Sequence, residues 1–113
     1  QAQPSSGWGL YPTVATHVDR AHYRRDLIRA TQGAPTLAQG NCRSYGDACL
    51  YERVVSTLPL RHLLEFDSAK GLLRAQAGCT LDKLIAYILP RGFFLPVTPG
   101  TKFPTLGGCI AAD

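Results

Sequence analysis

The chain has 113 residues, 45% of them hydrophobic and 18% charged, and twelve basic against eight acidic residues leave a net charge of +4. That balance fits one globular domain and excludes a disordered tail, while the absence of a run of about 20 apolar residues excludes a membrane-spanning helix. The mild positive charge suits an anionic small ligand and permits weak nucleic-acid contact, and the leaderless start Gln1–Trp8 reads as cytoplasmic, with a peripheral membrane contact left open.

In chain order, Pro4, Gly7, Gly9 and Pro12 mark an extended arm, carried to residue 18, ahead of an α+β unit over 19–113. Asp19 is placed to cap a helix from about Arg20, on which Tyr23, Leu27 and Ala30 recur at helical spacing and which Gly33 and Pro35 end. Arg20, Arg24, Arg25 and Arg29 fall off that apolar stripe, as a solvated face or as a basic patch for a polyanion. A short strand, Thr36–Ala38, leads into the segment Gly40–Cys49. Leu63–Asp67 and Leu72–Ala77, joined through Ser68–Gly71, predict an antiparallel hairpin. Gly78 breaks the pattern, and Thr80 is set to cap a second helix, with Asp82 in its first turn and Leu81, Leu84, Ile85 and Ile88 on one face. Pro90 and Gly92 stop it. Phe93–Val97 reads as a short buried strand, Pro99-Gly100 as a turn, and Leu106–Ala112 as the opening of a further helix. The fold class is therefore α+β: a small mixed sheet with two or three helices. The small apolar run breaks off at Asp113 without helix-ending chemistry, which predicts a piece of something longer.

Cys42, Cys49, Cys79 and Cys109 are widely spaced and form no C-x-x-C pair, and His17, His22 and His62 complete no zinc pattern. Free thiols acting as small apolar residues, and no metal, are the expectation. The Walker pattern fails because Gly100-Thr101-Lys102 has the wrong order, and the Rossmann fingerprint fails because Pro12 stands where Gly7-Trp8-Gly9 would need a third glycine. There is no G-x-S-x-G elbow for an acyl-transfer serine.

Two loops remain as candidates for chemistry. In Gly40-Asn41-Cys42-Arg43-Ser44-Tyr45-Gly46-Asp47, glycines let successive amides point into one concavity, Arg43 can supply a charge-assisted bond to a phosphate oxygen and Ser44 a hydroxyl donor. The alternative is a surface loop in which Arg43 pairs with Asp47. In the second loop, Pro99 to Gly108, Gly100, Thr105, Leu106, Gly107 and Gly108 precede or open a helix whose first amides would be free for an anion. The alternative there is that Gly107 and Gly108 serve only close packing. If the two loops converge, they can hold the two phosphates of a dinucleotide.

Taken with the run Ser6-Gly7-Trp8-Gly9-Leu10-Tyr11-Pro12, the block Leu95-Pro96-Val97-Thr98-Pro99-Gly100-Thr101-Lys102 and the tail Thr105–Asp113, these loops resemble the FAD-linked oxidases of the vanillyl-alcohol-oxidase type. The similarity is greatest to the branch related to decaprenylphosphoryl-ribose 2-oxidase. The resemblance implies the first part of a PCMH-type FAD-binding domain, with FAD as cofactor and its pyrophosphate against the two loops. It also implies flavin-mediated oxidation of a CH–OH group on a sugar or polyol-like substrate, with the substrate domain, and every catalytic residue, outside this chain. Two positions depart from the family pattern: Gln39 stands where an arginine is usual, and Cys42 where a second glycine is usual. A small non-catalytic module that uses the arginine face on nucleic acid is the alternative from another class, and a fragment that folds but retains no ligand is a third reading.

Overall fold

Val54 and Val55 are β-branched, sit in the middle of the chain's most buried strand and set the architecture. In the computed structural model, which describes residues 2–32, 34–44 and 48–112, four strands form one sheet in the order β1-β2-β4-β3. They are β1 (Ala2–Ser6), β2 (Thr13–Arg20), β3 (Leu37–Gln39) and β4 (Arg53–Ser56). β1 runs antiparallel to β2, from Ala2 opposite His17 to Ser6 opposite Thr13, whereas β4 lies parallel to both β2 and β3. A strand between two parallel partners is covered on both faces, and Val54, Val55 and Ser56 are accordingly all buried.

The expected arm is thus sheet. Residues 2–18 supply the edge strand and most of its neighbour; Pro4 is tolerated because an edge strand has one row of backbone groups that needs no partner. The first helix also starts later than Arg20, as α1 (Arg24–Thr31). Arg20 still pairs with Ser56, and the Ala21 amide donates to the Ser56 carbonyl at 3.0 Å, so the strand ends only there. Asp19 is therefore not the cap. Asp26 reaches back instead, its Oδ2 accepting the His22 and Tyr23 amides at 3.0 Å each. Leu27 and Ala30 pack on Ala21, Val55 and Leu60, which form the first core. The expected stop at Gly33 lies outside the described residues.

The predicted hairpin is present as β5 (Leu63–Asp67) and β6 (Leu72–Ala75), antiparallel, with Arg74 3.6 Å from Glu65 across it. The second helix, α2 (Leu81–Ile88), begins after Thr80 as expected, although the Thr80 hydroxyl donates to the Asp82 carboxylate and caps no helix amide. Leu81, Leu84 and Ile88 are its buried face, and Leu81 and Leu84 join Cys79 in a second core that also takes in Leu73 and Ala75 of the hairpin and Leu106. Phe66 of β5 meets Tyr87 and Phe93 edge-on, at ring-centroid distances of 5.7 and 5.2 Å, which ties hairpin to helix. A 3-10 turn, Leu89–Arg91, and Gly92 follow.

Phe93–Val97 is not a buried strand. Phe94 is 58% and Val97 84% exposed, the segment joins neither sheet among the described residues, and Pro96 has no amide to donate. The chain then crosses back to α3 (Leu106–Ala112). Gly78 joins the two cores: its amide donates to the Leu60 carbonyl at 2.7 Å, and a Cβ there would lie 1.9 Å from the Thr57 carbonyl oxygen. Only glycine fits so close an approach of backbone to backbone. Among the described residues no helix is long and apolar enough to cross a membrane.

Candidate functional site

The first loop leaves β3 at Gln39, whose buried side-chain amide donates both to Ser5 Oγ at 3.3 Å and to the Cys49 carbonyl at 2.9 Å. One side chain thus fixes the two ends of the segment 40–49 against β1. The Trp8 amide adds a bond to the Ser44 carbonyl at 2.8 Å. The residues that depart from an arm to a strand are therefore what braces the loop. Within it, the amides of Asn41, Cys42, Arg43 and Ser44 have no acceptor among the described residues. Cys42 has φ +54, in the region that disfavours a side chain and that glycine adopts freely. Arg43 is exposed, and its guanidinium lies 5.5 Å from the centre of the Phe103 ring.

The second loop is held by α2. The Leu81 amide donates to the Pro104 carbonyl at 3.0 Å and the Asp82 amide to the Lys102 carbonyl at 2.8 Å, while Thr105 pairs with Thr80 in an isolated bridge. Buried Thr105 accepts the Gly108 amide on Oγ1 at 3.1 Å. The Leu106 amide is taken by the Cys79 carbonyl at 2.7 Å and the Gly107 amide by the Ala77 carbonyl at 2.9 Å. This corrects the expectation that the start of the last helix offers free amides to an anion: Leu106, Gly107 and Gly108 have spent theirs inside the protein. Close packing is the role that fits Gly107, where a Cβ would lie 2.9 Å from that of Ala77.

The two loops do converge. Asn41 Nδ2 donates to the Phe103 carbonyl at 3.0 Å, and Gly40 lies against Thr105. Between them opens a hollow of about 460 Å³. Of the residues singled out from sequence, Gly40, Asn41, Cys42, Arg43, Ser44, Thr105 and Gly108 line it; Gly100 and Leu106 face neighbouring hollows, and Gly107 lines none of the three. Tyr45, Gly46 and Asp47 lie outside the described residues, and with Asp47 the alternative pairing for Arg43. Cys49, Pro104, Cys109 and Ala112 also line the hollow and were not anticipated. The spacing of Thr105, Gly108, Cys109 and Ala112 is one helical stripe, and it is the signal that would have found the last two.

All four cysteines are free thiols. Burial, reinforced by the neighbouring Cys42 thiol, pushes Cys49 up to about 11, and burial also raises Cys79 and Cys109. Among the described residues no three metal-ligating side chains gather, so the wall offers a cation in Arg43, unpaired amides and apolar surface. These are the requirements of a phosphate-bearing, partly apolar ligand.

Residues 25–113 match the family described as FAD binding domain. The chain is 36% identical over 115 residues to decaprenylphosphoryl-beta-D-ribose oxidase of Mycolicibacterium smegmatis, an alignment that covers 95% of this chain and 25% of that protein. It is 33% identical over 98 residues to mitochondrial D-2-hydroxyglutarate dehydrogenase of Bos taurus, covering 86% of this chain and 17% of the other. The fold superposes on cholesterol oxidase from Brevibacterium sterolicum with a TM-score of 0.82 at 12% identity, over 98% of this chain and 23% of that one. The chain thus spans about a quarter or less of the length of these relatives.

Proposed function

The chain belongs to the FAD binding domain family, whose cofactor is FAD, and from that premise we propose that the hollow between its two loops seats the FAD pyrophosphate. The observation that carries this reading is the convergence of the unpaired amides of Asn41, Cys42, Arg43 and Ser44 with the Arg43 guanidinium on one wall. A diphosphate needs several N–H donors and a counter-charge, and here both are present without a nearby carboxylate among the described wall residues. Gly40 and Gly108 keep the floor low enough for the ligand to approach backbone, and Thr105 holds Gly108 in place. Gly100, Leu106 and Gly107 act from behind, by shaping and packing the second loop, and Tyr45, Gly46 and Asp47 complete the proposed set of cofactor-binding residues.

When bound, the flavin supplies the redox chemistry, accepting a hydride from a carbon that bears a hydroxyl. This chain's own residues bind and orient: they fix the diphosphate, and through it the direction in which the ring system leaves the hollow. No catalytic residue is assigned. We propose residues 1–113 as the first part of a PCMH-type FAD-binding domain in a longer oxidoreductase, acting on a CH–OH group of a sugar or polyol-like molecule. The names of the relatives, a ribose oxidase and a hydroxyglutarate dehydrogenase, support an oxidised alcohol carbon. Titration of the full-length protein with FAD, followed by flavin fluorescence, tests the cradle. Saturable quenching that inorganic pyrophosphate competes away is expected; no binding would reject the reading.

A further inference from the structure

We infer that Cys42 and Cys49 are a redox-sensitive thiol pair in the wall of the proposed cofactor cradle, which hydrogen peroxide closes to a disulfide that expels FAD. The inference rests on the reading of the hollow as the diphosphate site. Both thiols line that hollow, and Gln39 Nε2 links their neighbourhoods, donating to the Cys49 carbonyl at 2.9 Å and to Ser5 Oγ at 3.3 Å, which itself lies 3.9 Å from the Cys42 sulfur. The two differ in access: Cys42 is partly exposed, with its Sγ 3.9 Å from Ser5 Oγ, whereas Cys49 is only 6% exposed. That division of labour, an accessible sulfur backed by a buried one in the same wall, is the arrangement in which one thiol is oxidised and the second resolves it. Neither sulfur is held in a disulfide or in a metal-ligating cluster among the described residues.

The chemistry balances with one peroxide. Cys42 sulfur attacks a peroxide oxygen and its thiol proton passes to the departing oxygen; an S–O bond forms, the O–O bond breaks and one water leaves, with Cys42 as sulfenic acid. Cys49 sulfur then attacks Cys42 sulfur; the S–S bond forms, the S–O bond breaks and the second water leaves. The thiol pair loses two electrons and the peroxide gains them. Because Cys42 is partly exposed and Cys49 is buried, peroxide reaches Cys42 first and Cys49 follows. The resulting ring runs from residue 42 to residue 49 and so contains Arg43 and Ser44. A disulfide brings the two Cβ atoms to about 3.8 Å. Drawing Cys42 inward toward buried Cys49 re-aims the amides of residues 42–44, on which the cradle depends.

The test treats the FAD-loaded full-length protein with hydrogen peroxide, blocks residual thiols and maps peptides by mass spectrometry, while filtered FAD is measured by fluorescence. A dithiothreitol-reversible Cys42–Cys49 cross-link with parallel FAD release is expected. In Cys49→Ser, oxidation should stop at a Cys42 sulfenic acid that dimedone traps, and in Cys42→Ser neither product should form. Absence of the cross-link in a protein that binds FAD when reduced would overturn the inference and leave the cradle standing. A protein that forms the cross-link but keeps its FAD would overturn the coupling, and failure of the reduced protein to bind FAD would reject the cradle reading itself.

Discussion

Thr105 Oγ1 occupies the space that a side chain on Gly40 would need: a Cβ at residue 40 would lie 2.5 Å from it. The hydroxyl cannot simply swing aside, because it accepts the Gly108 amide and the residue is fully buried. Gly40→Ala should therefore pry the two loops apart. A loss of about 1–3 kcal/mol in stability is expected from overpacking, with weaker FAD retention. Gly9→Ala is the control, since nothing lies within 4 Å of a Cβ there and its φ is unexceptional. Denaturant melts of both variants, beside flavin content after gel filtration, check this; equal behaviour of the two would count against the packing argument.

Cys42 carries a φ of +54 without being glycine. A side chain in that region costs about 1–2 kcal/mol, offset in part by the extra chain entropy that glycine loses on folding. Cys42→Gly is accordingly expected to raise stability by about 0.5–1 kcal/mol and to leave FAD affinity equal or tighter. The midpoint of chemical denaturation reads the first, and an FAD titration the second. A drop in both would show that the thiol is needed where it stands.

Arg43 makes one contact among the described residues, with the face of Phe103, and is otherwise exposed. Removing it should cost the fold less than about 0.5 kcal/mol. If it meets a phosphate, the same change forfeits a charge-assisted bond of about 1.5–3 kcal/mol, which is about 10- to 100-fold in Kd. Arg43→Ala is thus expected to separate binding from stability, and isothermal titration with FAD beside a thermal melt measures both. Unchanged affinity would remove Arg43 from the site.

What could be read from sequence was what neighbours in the chain decide. Leu81, Leu84, Ile85 and Ile88 share a helical face behind Thr80, and Leu63–Asp67 with Leu72–Ala75 are joined by a short turn, so α2 and the hairpin were legible. β4 was not, because Arg53–Ser56 shows no alternation and owes its strand geometry to β2 and β3, which are distant in sequence. The same split runs through the site. Gly40, Asn41 and Arg43 announce a polar bend by composition, but the amides of Leu106 and Gly107 are consumed by Cys79 and Ala77, more than twenty residues upstream. Helix-start chemistry predicts free donors wherever nothing else is near; only the packing of α3 on the turn before α2 shows that something is.

Asp82 provides a pH signature for that packing. The Thr80 hydroxyl, the Lys83 amide and the charges of Lys83 and Lys102 hold its carboxyl below the usual 3.8, outweighing the partial burial that acts the other way. A carboxylate depressed in the folded state contributes stability that is complete above its unfolded value and is lost as pH falls through the lower folded one. The lysine that helps is on the second loop, whose Lys102 carbonyl also accepts the Asp82 amide, so acid loosens the junction between α2 and that loop. Asp82→Asn should lower stability at neutral pH and flatten its decline below about pH 4. Urea melts at pH 7, 5 and 3 measure this, and parallel pH profiles for the two proteins would mean that Asp82 is coupled to neither Thr80 nor Lys102. Because Asp26 is also depressed, through the His22 and Tyr23 amides, the variant should keep a residual acid dependence from the opposite end of the fold.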